Sequence, residues 1–293
     1  PPPSSGGTAL LEMLNTLSAY ERTHPKNRLK QLGHNHPAYV HLLTEIMKHA
    51  FADRAEFLGD SDFAKVPVSR LISRKYTERI AMKIDPNRTK PLKAYGRFLP
   101  VNDEGTSHFS IIDSRGNAVA CTETINTTFG SLVVEPKYGI VLNNEMDDFA
   151  AAPGQPNVFG LIQSEANAVQ AGKKPLSSMT PTILVKNGKA VFVAGASGGP
   201  RIISSTLQVL LNMSRFGMSP EKAVREPRFH HQWVPNSLLL EGPLHLRIQK
   251  AMKAYGHKVE RRNSLSASQA AGRNSKGLQA GSDPRKGGKP VGY

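Results

Sequence analysis

Cysteine is nearly missing from this chain. Cys121 is the single one in 293 residues, which excludes an internal disulfide framework and a zinc site built from thiolates. A lone thiol of this kind is expected as a small buried apolar residue. Aromatic residues are sparse, at 6%. No apolar run approaches the ~20 residues needed to span a bilayer as a helix, and the two richest, Ile183 to Val185 and Val191 to Ala196, are strand-sized. There is no initiating methionine, and the opening Pro-Pro-Pro-Ser-Ser-Gly-Gly has a loop composition rather than that of a signal peptide, so an export signal would stand upstream. Acidic residues are outnumbered, 23 against 38 basic ones, for a formal net charge of +15. The basic residues are dense from Arg247 to Lys289, which brings anionic partners such as nucleic acid or a membrane surface into question. That region has no binding motif and no interleaved aromatics for base stacking, so solvated surface lysines and arginines explain it better. What is present, 39% hydrophobic and 21% charged residues, is enough for a sizeable core in one large or two small units.

Periodicity divides the chain near Gly105. Before it, Leu10, Leu11, Leu14 and Leu17, then Val40, Leu43, Met47 and Phe51, then Leu71, Ile72, Tyr76 and Ile80 follow helical spacing and predict three amphipathic helices. After it, Ser107 to Asp113 and Asn117 to Asn126 read as strands joined by Ser114-Arg115-Gly116. A second hairpin, Thr182 to Lys186 and Lys189 to Ala194, flanks Asn187-Gly188, the dipeptide suited to positive φ at both central turn positions. Gly195 to Gly199 then leads to Pro200 as the first position of another helix, carrying Ile202, Ile203, Leu207, Leu210 and Leu211.

Several polar groupings can carry chemistry. Thr124 and Asn126 are two apart on a predicted strand and so share a face. Asn143, Asn144, Glu145, Asp147 and Asp148 directly follow an apolar strand, Gly139 to Leu142, whose end could present carboxylates to a cleft, although an ordinary surface loop would look similar. Ser177 and Ser178 lie between Pro175 and Pro181, a rigid setting for two hydroxyls that turn formation alone would also explain. His34, His36, His41 and His49 cluster in sequence and His230-His231 are adjacent, yet none has a metal-ligand spacing with supporting cysteines, and no metal is expected. Gly195-Ala196-Ser197-Gly198-Gly199 fits G-x-S-x-G between a strand and a helix, the context of a serine nucleophile elbow. Chain order opposes that reading, since the only aspartate after Ser197 is Asp283 with no histidine beyond it, although Glu221 before His245 could serve.

Taken together, the segments resemble the γ-glutamyltranspeptidases, a family of N-terminal-nucleophile hydrolases. The matching strings are Pro-Pro-Pro-Ser-Ser-Gly-Gly from Pro1, Ala-Asp-Arg-Ala-Glu-Phe-Leu-Gly-Asp from Ala52, Thr-Ser-His-Phe-Ser from Thr106 and Leu-Asn-Asn-Glu-Met-Asp-Asp-Phe from Leu142. Further on come Lys-Pro-Leu-Ser-Ser-Met from Lys174, Gly-Gly-Pro-Arg-Ile from Gly198, Pro-Arg-Phe-His-His-Gln from Pro227 and Ser-Asp-Pro-Arg-Lys from Ser282. Long motifs in one order along the whole chain are far more specific than any short pattern.

The resemblance implies an α+β fold, a four-layered αββα sandwich of the N-terminal-nucleophile hydrolase type, here lacking its N-terminal region. It implies self-cleavage between Gly105 and Thr106, with residues 1–105 the mainly helical tail of a large subunit and 106–293 a small catalytic subunit. It implies γ-glutamyl transfer from glutathione and related amides to water, amino acids or peptides, with no cofactor. The rest of the large subunit would be the partner, and with it would come an arginine that holds the substrate's α-carboxylate. By the same resemblance Thr106 is the nucleophile, Thr124 positions it, and the backbone N–H groups of Gly198 and Gly199 form the oxyanion hole. Asn126, Glu145 and Asp148 would bind the α-amino group, and Ser177 and Ser178 the α-carboxylate. Pro153 to Gly160 resembles the lid loop of bacterial members, with Phe159 where a tyrosine is common, and this points to a periplasmic or extracellular enzyme. The chemistry suits the residue types, since a freed α-amino group, with an ordinary pKa of about 8, can accept the proton of the threonine's own hydroxyl.

Overall fold

The computed structural model describes residues 3–96, 106–150, 152–153, 163–274 and 277–292. Five helices come first: α1 (Gly6–Thr23), α2 (Leu29–Leu32), α3 (Pro37–Phe57), α4 (Val68–Leu71) and α5 (Arg74–Lys83). The strand-rich remainder holds β1 (Thr106–Ile112), β2 (Ala118–Thr124), β3 (Val134–Glu135), β4 (Ile140–Val141), β5 (Thr182–Lys186) and β6 (Lys189–Ser197). These are followed by α6 (Arg201–Ser214), α7 (Pro220–Arg225), β7 (Phe229–His230), β8 (Leu238–Glu241), α8 (Gly242–Ala254), β9 (Val259–Arg262), β10 (Ala267–Asn274) and β11 (Gly277–Ser282).

The helical halves match the sequence reading with one break. Helix α3 starts where His36 accepts from the Ala38 N–H and Pro37 takes the first turn, and it is buried along most of its length. The third expected helix is two: Ser73 Oγ accepts from the Tyr76 N–H at 3.2 Å and so caps a new helix at the point where Leu71 and Ile72 had suggested continuity. Pro200 caps α6 rather than occupying its first position, a difference of one residue.

The central layer is a four-stranded antiparallel sheet in the order β11-β10-β6-β5. Its β5–β6 connection is the predicted tight turn, with φ of 53° at Asn187 and 74° at Gly188. One face of this sheet lies against α6 and α7, with α1 and α3 packed beyond, and Ala194 and Ala270 join that helical core with Met13, Leu17, Leu43, Leu207 and Leu211. On the other face lies the β1–β2 hairpin, in register from Thr106↔Thr124 to Ile112↔Ala118. Helix, sheet and sheet are thus three successive layers, in the order expected of three of the four layers of an αββα sandwich. On the outer side of β1–β2, Phe109, Ile111 and Val119 are 45%, 53% and 46% exposed, an apolar face without a covering layer among the described residues. Cys121 sits on this outer side opposite Phe109 and is half-buried, which corrects the expectation of a core thiol. Gly139 to Leu142 contributes only the two-residue strand β4, paired with β3.

The two sheets approach most closely at Gly195, where a Cβ would stand 2.2 Å from the His108 ring. That ring cannot swing aside, because Thr122 Oγ1 at 2.7 Å and Ser110 Oγ at 3.0 Å hold both nitrogens. Gly195→Ala is therefore expected to destabilise the chain by about 1–3 kcal/mol through overpacking. Thermal unfolding checks it, and an unchanged Tm would show that the layers can separate without cost.

Candidate functional site

The β1–β2 register places Thr106 directly opposite Thr124, and Thr106 Oγ1 donates to Thr124 Oγ1 at 3.2 Å. Thr124 Oγ1 also accepts from the Asn126 N–H at 2.8 Å. Asn126 leaves the strand with φ of 74° and is buried. Its Nδ2 donates to Asn144 O at 3.0 Å, so the atom it can offer a cationic ligand is the acceptor Oδ1. Asn144 Oδ1 in turn accepts from the Thr127 N–H at 3.1 Å. These bonds dock the end of β2 onto the Glu145–Asp148 3₁₀ turn, which carries all three carboxylates singled out in the sequence, among them the pair Glu145 and Asp148.

Burial governs the charge state of that pair. Desolvation raises Asp148 well above the usual carboxylate range, neighbouring Glu145 raises it further, and the positive charge of Arg54 opposes both. Glu145 is raised as well, first by burial. Its Oε1 is buried without a hydrogen-bond donor among the described residues. A positively charged ligand would meet that unmet acceptor and relieve the repulsion between the two carboxyls.

Ser177 and Ser178 are fixed from behind by residues the sequence reading did not single out. The Ser5 N–H and Oγ both donate to Ser177 O, at 2.8 and 2.7 Å, and Ser4 Oγ donates to Met179 O at 2.6 Å. The opening loop of the chain thus docks beneath this segment. Arg54, 1% exposed on α3, donates from Nε to Ser5 Oγ at 2.8 Å and from Nη2 to Leu176 O at 3.2 Å and Ser178 Oγ at 3.3 Å. Asn167 ties the two segments together, donating to Asp148 O at 2.7 Å while its Oδ1 accepts from the Leu176 N–H at 3.1 Å. Only the Ala-Asp-Arg string pointed at Arg54, and one arginine among the several charged residues of α3 gives no sign of what it touches.

Gly198 and Gly199 follow β6 with φ of 127° and 54° at the start of α6, a backbone path suited to glycine, and a Cβ on Gly198 would come within 3.1 Å of the Ser266 Cβ. Thr106 belongs to the same end of β6. Lys286 Nζ donates to Thr106 O at 2.8 Å, and nearby Asp283 accepts from the Ser268 N–H at 2.8 Å, where Ser268 pairs with Ala196. The Asp283 carboxylate is held below its usual range by Arg228, against the cost of burial, and Arg228 Nη2 reaches it at 2.5 Å. Ser197 Oγ, the nucleophile of the elbow alternative, donates to Ala267 O at 3.3 Å, and no described hydrogen bond joins it to a histidine. Glu221 pairs with Arg225 on α7, while His245 lies on α8, so that alternative has no assembled triad.

Among the described residues, His41, Glu45 and His257 are the one trio whose ligand atoms lie within 4.8 Å of one another. His41 Nδ1 faces His257 Nε2 at 2.8 Å, and Glu45 is already engaged by Lys48 and by Tyr95. The Lys48 charge offsets that of Glu45, so a divalent cation would enter without a free counter-charge. The Gly105 side of the expected cleavage point and residues 154–160 of the expected lid, Phe159 included, lie outside the described residues. No helix among the described residues is long and apolar enough to cross a membrane.

A family model, Gamma-glutamyltranspeptidase, matches residues 1–293. The glutathione hydrolase proenzyme of Escherichia coli K12 is 43% identical over 288 residues, covering 97% of this chain and 48% of the relative. That of Pseudomonas aeruginosa is 42% identical over 292 residues, covering 97% and 51%. This chain thus spans about half the length of the curated relatives it matches. Among solved structures, a gamma-glutamyltranspeptidase from Pseudomonas nitroreducens complexed with L-DON shares 42% identity at a TM-score of 0.61, covering 64% of this chain and 99% of that one. A cephalosporin acylase from Bacillus halodurans, 23% identical, superposes on all of this chain and 51% of its own at a TM-score of 0.80, which speaks for the fold alone. With its profile matched from end to end and relatives above 40% identity along nearly all of it, this chain belongs to the gamma-glutamyltranspeptidase family.

Proposed function

We propose that Thr106 is the nucleophile of a self-processing γ-glutamyl acyltransferase and hydrolase whose donor binds across Glu145–Asp148 and Ser177–Ser178. The observation that carries this reading is a pair of unmet groups of opposite character. Glu145 Oε1 is a buried acceptor without a donor, and Arg54 Nη1, behind Ser178, is a buried donor without an acceptor, both among the described residues. The ammonium of an α-amino acid head group supplies what Glu145 Oε1 lacks, and its carboxylate, on the Ser177 and Ser178 hydroxyls, brings a negative charge toward the Arg54 guanidinium behind them. Asn126 Oδ1, Glu145 and Asp148 would take the ammonium, and the hydroxyls of Ser177 and Ser178 the carboxylate. The γ-carbonyl is then left for Thr106.

Cleavage of the Gly105–Thr106 bond frees an α-amino group beside the Thr106 hydroxyl. The amine takes the hydroxyl proton as Oγ1 adds to the γ-carbonyl, and the N–H groups of Gly198 and Gly199 receive the charge that forms on oxygen. Collapse expels the amine product with that proton, leaving a γ-glutamyl ester. Water or an acceptor amine then attacks the ester and regenerates Thr106. Glutathione as donor accords with the names of the relatives, and residues 106–293 as a separate subunit accord with a solved relative that is 99% covered by 64% of this chain, the share those residues make up. Placement in the periplasm or outside the cell belongs to the same proposal, tested by fractionating cells that make the longer protein.

Asp148→Ala is expected to weaken donor binding roughly tenfold to more than a hundredfold, the worth of a charge-assisted hydrogen bond to an ammonium of about 1.5–3 kcal/mol. Because the Asp148 pKa is raised, the ionised form that the ammonium needs is lost as pH falls through that raised value, above the ordinary carboxylate range. KM for γ-glutamyl p-nitroanilide should rise along that limb. Glu145→Gln removes a repulsive neighbour and should move the limb to lower pH. An unchanged KM in Asp148→Ala, or an unmoved limb in Glu145→Gln, would take these carboxyls out of the donor site.

A further inference from the structure

Arg54 is a fully buried cation beside the candidate site, 1% exposed, and its side-chain hydrogen bonds all go to residues outside its own helix. We propose that Arg54 is a positioning residue for the donor's α-carboxylate and α-amino subsites, orienting the Ser178 hydroxyl and supplying the fixed positive charge that faces Asp148. The inference rests on the reading of the donor site above.

The geometry gives Arg54 two ways to act. Its Nη2 donates both to Leu176 O and to Ser178 Oγ, which fixes the segment's backbone and its side chain with one planar group. Ser178 Oγ, having accepted that bond, has its own proton left to donate, and a hydroxyl that accepts from a cation is a stronger donor. The guanidinium is itself held by Ser5 Oγ, which is anchored on Ser177 O, so the opening loop, α3 and the serine segment form one connected unit. Asn167 extends the unit to the backbone of Asp148. The groups that face Asp148 electrostatically are Glu145 and Asp147, which resist its ionisation, and Arg54, which favours it. Burial pushes Arg54 down to about 10 and Asp148 opposes that shift, so Arg54 still carries its charge at neutral pH. Within this chain, then, one buried cation supports both ends of a zwitterionic head group.

The test uses the longer protein with its upstream residues restored, in five forms: wild type, Arg54→Lys, Arg54→Met, Ser178→Ala and the double variant Arg54→Lys with Ser178→Ala. Turnover is followed with γ-glutamyl p-nitroanilide and with the same donor bearing an α-carboxamide. At a pH above the acid limb, where Asp148 is ionised in every form, Arg54→Met is expected to raise KM for the carboxylate donor roughly tenfold or more and to leave KM for the carboxamide within about twofold. Its acid limb should shift to higher pH, since Asp148 loses its opposing charge, and Arg54→Lys should restore the limb but not the hydroxyl's orientation. Combined with Ser178→Ala, the Arg54→Lys effect should largely vanish, because the two act through one hydrogen bond. Equal losses on both donors with an unmoved acid limb would mark Arg54 as structural and overturn the proposal. Failure of both Arg54 variants to fold would overturn it in the same way. A wild-type protein that turns over neither donor would instead remove the donor-site reading itself.

Discussion

In the longer protein that carries the upstream residues, Thr106→Ala is expected to remain one uncut chain and to release p-nitroaniline from γ-glutamyl p-nitroanilide at least ~10⁴-fold more slowly than wild type. The size of the effect follows from the economy of the site. Thr106 would supply the nucleophile through Oγ1 and, once freed, the base through its amine, so one substitution removes both. Cleavage should disappear with turnover, because the same hydroxyl must reach the Gly105–Thr106 bond. Mass analysis of wild type should show cleavage that assigns residues 106–293, 188 residues, to the C-terminal piece. A wild-type protein that is fully active while intact would refute the assignment of Thr106.

Residues 1–293 expressed alone are expected to show no measurable turnover of the same donor, whereas the longer protein turns it over. Two independent deficits lead to this. The outer face of β1–β2, with Phe109, Ile111 and Val119, has no covering layer among the described residues, and β1 carries the proposed nucleophile at its first position. Uncovering a sheet face of this kind forgoes about 25 cal/mol for each Å² of apolar surface left in water and loosens the strand that aims Thr106. The donor's α-carboxylate would also face only the hydroxyls of Ser177 and Ser178, with Arg54 one hydrogen bond behind them, and would lack the arginine that the family resemblance assigns to the absent region. Comparable turnover by the two proteins would show that this chain already holds a complete site. Restored turnover on adding the upstream region as a separate polypeptide would locate the deficit in the missing layer.

The pieces most legible in the sequence are those decided by neighbours along the chain. Asn187-Gly188 specifies its hairpin because positive φ at two successive residues is a local demand, and the glycines after β6 specify a turn for the same reason. The break at Ser73 escapes the apolar spacing, which carries across a cap whose hydrogen bond is invisible to periodicity. The strand expected over Gly139 to Leu142 keeps two regularly paired residues, Ile140 and Val141, and beyond them the facing chain turns at Leu132, with φ of 61°, out of strand geometry.

The sequence by itself determined the family, through long motifs in one order, and it determined which residue types are available: a threonine after a glycine, paired carboxyls, paired serines, paired glycines. Only the tertiary structure decided what those residues meet. Arg54 lies 124 residues from Ser178, Ser5 lies 172 from Ser177, and Lys286 lies 180 from Thr106, and no local pattern encodes such pairings. The ionisation of Asp148 was equally out of reach, because it depends on how much water the fold removes and on which charges the fold sets around what remains.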